Sequence, residues 1–240
     1  MHFKSEKGNA LFLILLAVVL FAALSYAVTS SMRGGGKDMS DEAAEIAASR
    51  LLDYSAHLRM TIQRMTVSQY LNPEDIDFYK ANVMKKFDES TYVIDNSNCT
   101  TTSCEIFSPN GGGFSYQNFE DIANPSPAGW QPTYTKPGHW YPIISNVVNI
   151  GSSKNDIMFL IIGLDVNVCK ALNRKVGLPQ NPAYSIASEN FTQFNGNVPT
   201  KIDIANPWTF GDDFPDLKGA HDFCTIFSDY GTFYSILITR

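Results

Sequence analysis

Residues 223–239 read FCTIFSDYGTFYSILIT: two short runs rich in aromatic and β-branched residues, 223–227 and 232–239, on either side of Ser228-Asp229-Tyr230-Gly231. Runs of this composition around a turn containing Ser, Asp and Gly predict a β-hairpin. Working backward, Asp156–Leu164 (DIMFLIIGL) is a short, nearly unbroken apolar run and predicts a buried strand. Between the two, Asp165-Val166-Asn167 opens a short helix that reaches about Val176 and is stopped by Gly177 and Pro179. Further upstream, Glu105-Ile106-Phe107 and Phe114-Ser115-Tyr116 flank the glycine-rich Asn110–Gly113 and predict another hairpin.

The segment before these strands has a different period. Ser40 is a good N-cap, and Asp41, Glu42 and Glu45 put negative charge at the positive end of a helix. Ala44, Ala48, Leu51, Ser55, Leu58, Ile62 and Met65 then recur at alternating spacings of four and three, one stripe of an amphipathic helix over residues 40–72, ended by Asn72-Pro73. The stripe is expected to pack on the domain's own sheet, with packing on another subunit as the alternative. Pro73–Phe87 predicts a second short helix. Asp121–Pro142 holds five prolines and reads as loop, with Trp130, Trp140 and Tyr141 as exposed aromatics that a partner or ligand would meet. The class expected is α+β: a helix packed on an antiparallel, β-rich domain over residues 73–240.

Composition narrows the function. The chain has 240 residues, 44% hydrophobic and 18% charged, which excludes a disordered chain. Lys and Arg number 18 against 24 Asp and Glu, a net charge of −6, so no phosphate-neutralising surface is expected and nucleic acid is excluded as a partner.

The N-terminus decides where the protein sits. Ala10–Leu24 (ALFLILLAVVLFAAL) is uninterrupted apolar sequence, and the character continues to Val28. As a helix, a run of this length spans about 28 Å, close to a hydrocarbon core. Lys4 and Lys7 against Glu6 make the leading flank net positive, which keeps this end in the cytoplasm and sends the rest across the membrane. A secretory signal cleaved after Ser25-Tyr26-Ala27 is one alternative; a retained single span is the expectation.

Lys7-Gly8 directly before the apolar helix resembles the leader end of type IV prepilins and pseudopilins, a resemblance carried by residues 4–32, about an eighth of the chain. It implies a leader over residues 1–8 cut after Gly8, a mature start at Asn9, and a membrane helix over 9–32. Mature pilins usually begin with Phe or Met and carry Glu at the fifth position, where that acid pairs with the terminal amine of a neighbouring subunit. Here those places hold Asn9 and Leu13, which is more similar to minor, tip or initiating pseudopilins than to a major fibre subunit. The family also lays a long helix against a β-rich body. Gly34-Gly35-Gly36 then reads as a hinge over residues 33–39, since each glycine costs a helix about 1 kcal/mol against alanine.

Cys99, Cys104, Cys169 and Cys224 all follow the apolar run, on the predicted extracytoplasmic side. An even count in an oxidising compartment reads as disulfides with three connectivities, of which Cys99–Cys104 and Cys169–Cys224 is the expected one. Zinc is disfavoured, because C-x4-C is wide and no second pair matches it. No G-x-S-x-G, H-E-x-x-H or phosphate loop is present. His57 falls on the solvated side of the helix, His139 among prolines and aromatics where stacking is expected, and His221 beside Asp222 as a base with no assignable nucleophile. The expectation is therefore not an enzyme, and no cofactor. Asp212, Asp213 and Asp216, with Asp222 nearby, form an acidic loop expected to be solvated. The calcium loop of major pseudopilins makes a calcium site at the first three the alternative that the resemblance implies. The protein expected is a single-pass inner-membrane assembly subunit with a periplasmic or extracellular domain, its partners the membrane and other pilin-like subunits. An envelope protein whose outer domain binds a partner or ligand is the alternative.

Overall fold

The computed structural model describes residues 12, 14–21, 39–78, 96–127, 136–151, 156–181, 192–193, 209–210 and 215–239. The chain divides into two units, Met1–Lys37 and Asp38–Arg240. In the first, residues 14–21 are helical with exposed side chains. The two ends of the apolar run, Gly8, Asn9 and the glycines at 34–36 lie outside the described residues. Among the described residues, no helix is long and apolar enough to cross a membrane.

The second unit is α+β. Helix α1 spans Asp41–Ser68 and α2 spans Val166–Lys175. The strands are β1 (Trp140–Val147), β2 (Asp156–Leu164), β3 (Thr192–Gln193), β4 (Thr209–Phe210), β5 (Asp222–Phe227) and β6 (Tyr230–Ile238). The sheet runs β3-β1-β2-β6-β5, with β4 also pairing β1. Its body is the four antiparallel strands β1, β2, β6 and β5. Two hairpins, β1–β2 and β5–β6, are thus joined side by side through β2 and β6, with α2 in the crossover between β2 and β5.

The helix stripe does what its period requires. Every member from Ala44 to Met65 is buried, together with Ala47 and Tyr54. Tyr54 sits at the centre of an aromatic wall, its ring centroid 5.0 Å from Phe114, 5.3 Å from Phe119 and 6.4 Å from both Trp140 and Phe159. Its hydroxyl accepts from Trp140 Nε1 at 3.1 Å and from the Gln117 amide at 3.3 Å, so both polar side-chain atoms of the wall are satisfied. Desolvation pushes the Tyr54 phenol well above its ordinary range and keeps it protonated.

Helix α2 starts at Asp165, whose side chain accepts from the Asn167 amide, and gives way after Val176 to Gly177 at φ 77, the left-handed conformation glycine adopts at low cost. Both expected disulfides are present, Cys99–Cys104 and Cys169–Cys224. The second lies on the sheet directly over Gly231, where a Cβ would overlap Cys169 Sγ. At the outer edge of β5, Asn173 Nδ2 donates to the Cys224 carbonyl at 2.7 Å and Oδ1 accepts from the Cys224 amide at 2.8 Å. A side-chain amide thereby takes the backbone groups that a neighbouring strand would pair with at this point.

Three expectations change. Trp140, placed on an exposed loop, is fully buried and begins strand β1, which the proline-rich reading overlooked. Pro142 is tolerated there because, among the described residues, the outer side of β1 is paired at Ile143–Ile144 and Asn146–Val147 and not at Pro142. The described part of the expected helix 73–87 is a single 3-10 turn, Pro73–Asp75, followed by extended chain: Asp77 donates to the Cys104 carbonyl and accepts from the Ile106 amide, both at 2.9 Å. The Cys99–Cys104 ring holds Cys104 where Asp77 can pair with it. Finally, Asn110–Gly113 does not close a ladder. The Gly111 and Gly113 amides fold back on the Ser108 carbonyl and that of Gly112 on Glu105, while Arg64 of α1 donates to the Gly112 carbonyl.

Candidate assembly surface and polar sites

Helix α1 presents two faces of different character. The inner face is locked by charge as well as by packing. Arg59 Nη1 and Nη2 donate to the two oxygens of Asp222, each at 2.9 Å, and Nη1 also reaches Ser235 Oγ at 2.9 Å. Ser55 Oγ completes the group, 2.9 Å from Asp222 Oδ1 and 2.7 Å from Ser235 Oγ. The pair Asp222↔Ser235 stands side by side in the β5–β6 register, so α1 is bonded to both strands of the C-terminal hairpin at one point. Arg50 makes a bidentate pair with Asp121 at 2.6 and 2.7 Å, and Glu45 is held between Arg174 and Lys175 of α2. Hydrogen bonds from Arg50 hold the Asp121 carboxyl below its usual range, and those from Lys175 and Arg174 do the same for Glu45.

The outer face carries Ile46, Met60 and Val67, 67%, 64% and 76% exposed, and beyond the helix end Tyr70, 90% exposed at φ 54. The first three fall on one line along the helix, with Asp53 in the remaining place of their seven-residue spacing. Among the described residues, these three are apolar side chains that lie outside the buried core.

A second cluster was not legible beforehand. His139 Nε2 lies 2.8 Å from Glu120 Oε1, its Nδ1 3.0 Å from the Tyr116 hydroxyl, and Lys136 Nζ 3.1 Å from Glu120 Oε2. Burial pulls the Glu120 carboxyl upward, but the bonds from His139 and Lys136 outweigh it and leave the group below its ordinary range. The Glu120 carboxylate is therefore an acceptor facing Nε2, and the Tyr116 hydroxyl meets the other ring nitrogen, Nδ1. A carboxylate–imidazole–phenol chain has the order of a base relay. The phenol at its end is held protonated by burial, and the imidazole is 3% exposed, so the chain works as a tie between the 3-10 turn Glu120–Ile122 and the start of β1. The only hint in the sequence was Pro137-Gly138 ahead of His139, which marks a turn and no partner.

The remaining candidates separate. His57 is exposed on α1 and His221 is exposed before β5. The Asp222 carboxylate, the neighbour that could have oriented His221 as a base, faces Arg59 and Ser55 instead. Asp216 is exposed in the 3-10 turn Pro215–Leu217, whereas Asp212, Asp213, Trp130 and the Tyr141 side chain lie outside the described residues. Among the described residues, no group of three or more His, Cys, Asp or Glu side chains is placed to hold a metal ion. A cavity of about 260 Å³ lies between Val176, Leu178, Lys218 and His221, below the usual size of a small-molecule site. Comparison with protein-family models, curated proteins and solved structures finds no match.

Proposed function

We propose that this chain is a pilin-like or minor pseudopilin-like subunit, anchored in the inner membrane by residues 9–32 and carrying its folded body on the periplasmic or extracellular side. Its work is assembly and not chemistry. The helix from Asn9 holds the subunit in the bilayer before assembly and packs against other subunits afterward. The observation that carries the reading is Lys7-Gly8 abutting an apolar run of spanning length, the described part of which, residues 14–21, is helical with exposed apolar side chains. Two features of the body are in keeping with it: a long helix laid on a four-stranded antiparallel sheet, and the outward line of Ile46, Met60 and Val67, apolar and outside the buried core. Leu13 in place of an acid fits a minor position in the assembly better than a repeating one.

Processing at Gly8 tests this. Intact mass and N-terminal sequencing of the native protein are expected to give a mature start at Asn9, with the charged leader lost and the apolar helix kept. A start near Val28 means a secreted body, and a start at Met1 a simple anchored envelope protein. Either result overturns the assembly reading.

A further inference from the structure

We propose that Asp165 and Asn167 form a clasp that fixes the point where the N-terminal segment joins the folded body, so that load arriving along the chain is taken at Met39 and passed to the sheet before α1 is strained. The Met39 amide donates to Asp165 Oδ2 at 3.0 Å, and Asn167 Nδ2 donates to the Met39 carbonyl at 2.8 Å. Both backbone groups of one residue, the last before the N-cap of α1, are thus held by side chains more than a hundred positions away. The same Asp165 carboxylate caps α2 through its other oxygen, which accepts from the Asn167 amide at 2.8 Å. One acid therefore ties the start of the body to the start of α2.

From α2 the path is covalent. Cys169 is bonded to Cys224 in β5, and Asn173 holds the Cys224 backbone through two more hydrogen bonds. The Asp165 amide also donates to the Ile122 carbonyl at 3.0 Å, which braces the clasp from a third side. A pull on residue 38 meets Met39, then α2, then the disulfide, then the sheet edge. Helix α1 packs beside α2, with Glu45 held by Arg174 and Lys175, so it is braced against that path without being a link in it. Without the clasp the same pull would open α1 from its first turn, where the Ser40 side chain reaches the Ala43 amide at a long 3.4 Å. The role as a load stop rests on the assembly reading, in which the subunit is moved by its membrane helix; the clasp itself does not.

The test uses the full chain in detergent micelles. Asp165→Ser keeps a side-chain oxygen for the α2 cap but removes the one that Met39 needs, and Asn167→Ala removes the second bond at a position where alanine suits a helix. With amide exchange read residue by residue, the double variant is expected to speed the Met39, Ala43 and Ala44 amides by about tenfold or more, the loss of one charge-assisted and one neutral hydrogen bond, with β2 and β6 amides unchanged. Pulled from its N-terminus in a single-molecule force experiment, the wild type is expected to release α1 and the sheet together, and the variant to release α1 first. Unchanged exchange at Met39, equal acceleration in the sheet, or the same release order in both proteins would overturn the proposal. Asn167→Ala alone repeats the measurement if the double variant does not fold. A mature start other than Asn9 would remove the assembly reading and leave the exchange result standing, and the converse holds.

Discussion

Removing the Asp222 carboxylate probes how α1 is attached to the sheet. In Asp222→Ala, Arg59 loses both 2.9 Å bonds to the acid and Ser55 loses its own, while Arg59 keeps Ser235 Oγ and the Ile236 carbonyl. The Arg59 and Asp222 side chains are 24% and 12% exposed, between a surface pair, where the effect is about 0–1 kcal/mol, and a buried pair, where deleting one partner costs about 3–5 kcal/mol. A loss of about 2–3 kcal/mol is expected, which for a body of this size lowers the melting temperature by about 5–10 °C. Urea unfolding of residues 38–240, followed by circular dichroism, measures it. Arg59→Met should cost about 2 kcal/mol, because it leaves the acid partly buried with only Ser55. The double variant removes both charges and should cost about 1–2 kcal/mol less than the sum of the singles. Strict additivity, or a loss below about 0.5 kcal/mol for Asp222→Ala, would show that helix packing alone holds α1 and that the ion pair contributes nothing of its own.

Gly231→Ala is expected to cost more than about 2 kcal/mol, because its Cβ would overlap Cys169 Sγ; in a chain where Cys169 and Cys224 are both alanine the same change should cost clearly less, and an equal cost would place the conflict elsewhere. Acid should weaken the body in a defined window. Glu45, Asp121 and Glu120 all have folded pKa values below their ordinary ones, so their contribution is present above the ordinary carboxylate range and is lost as pH falls through the folded values. Urea midpoints should stay level from pH 7 to about pH 5 and fall below about pH 4, and a midpoint that rises on acidification would contradict the sign.

What the sequence made legible was local. The stripe Ala44–Met65, the Asp165 cap with Gly177 at the far end, the buried run 156–164 and the C-terminal hairpin each carry their signal within one turn or one strand. There, period and capping chemistry act over a few residues. The hairpin even proved tighter than expected: strand pairing reaches Phe227↔Tyr230, and Asn124 Nδ2 holds the turn by donating to the Asp229 carbonyl at 3.0 Å. Disulfide pairing was legible for a related reason, since a six-residue ring leaves the other two cysteines to each other.

What only the tertiary structure decided is wherever a residue's state depends on a partner far along the chain. Trp140 in a proline-rich stretch looks like an exposed aromatic until β2 lies beside it and its Nε1–H donates to the Tyr54 hydroxyl. Ile76–Phe78 has helix-compatible neighbours, but Asp77 pairs across to Cys104 and Ile106, which the disulfide ring has already placed. Glu120, His139 and Tyr116 are ordinary polar residues until two loops cross. Local sequence determines which backbone shape is cheapest for a segment. Burial and long-range hydrogen bonds, each about 1 kcal/mol or more, decide among shapes of nearly equal cost, and their partners cannot be read one segment at a time.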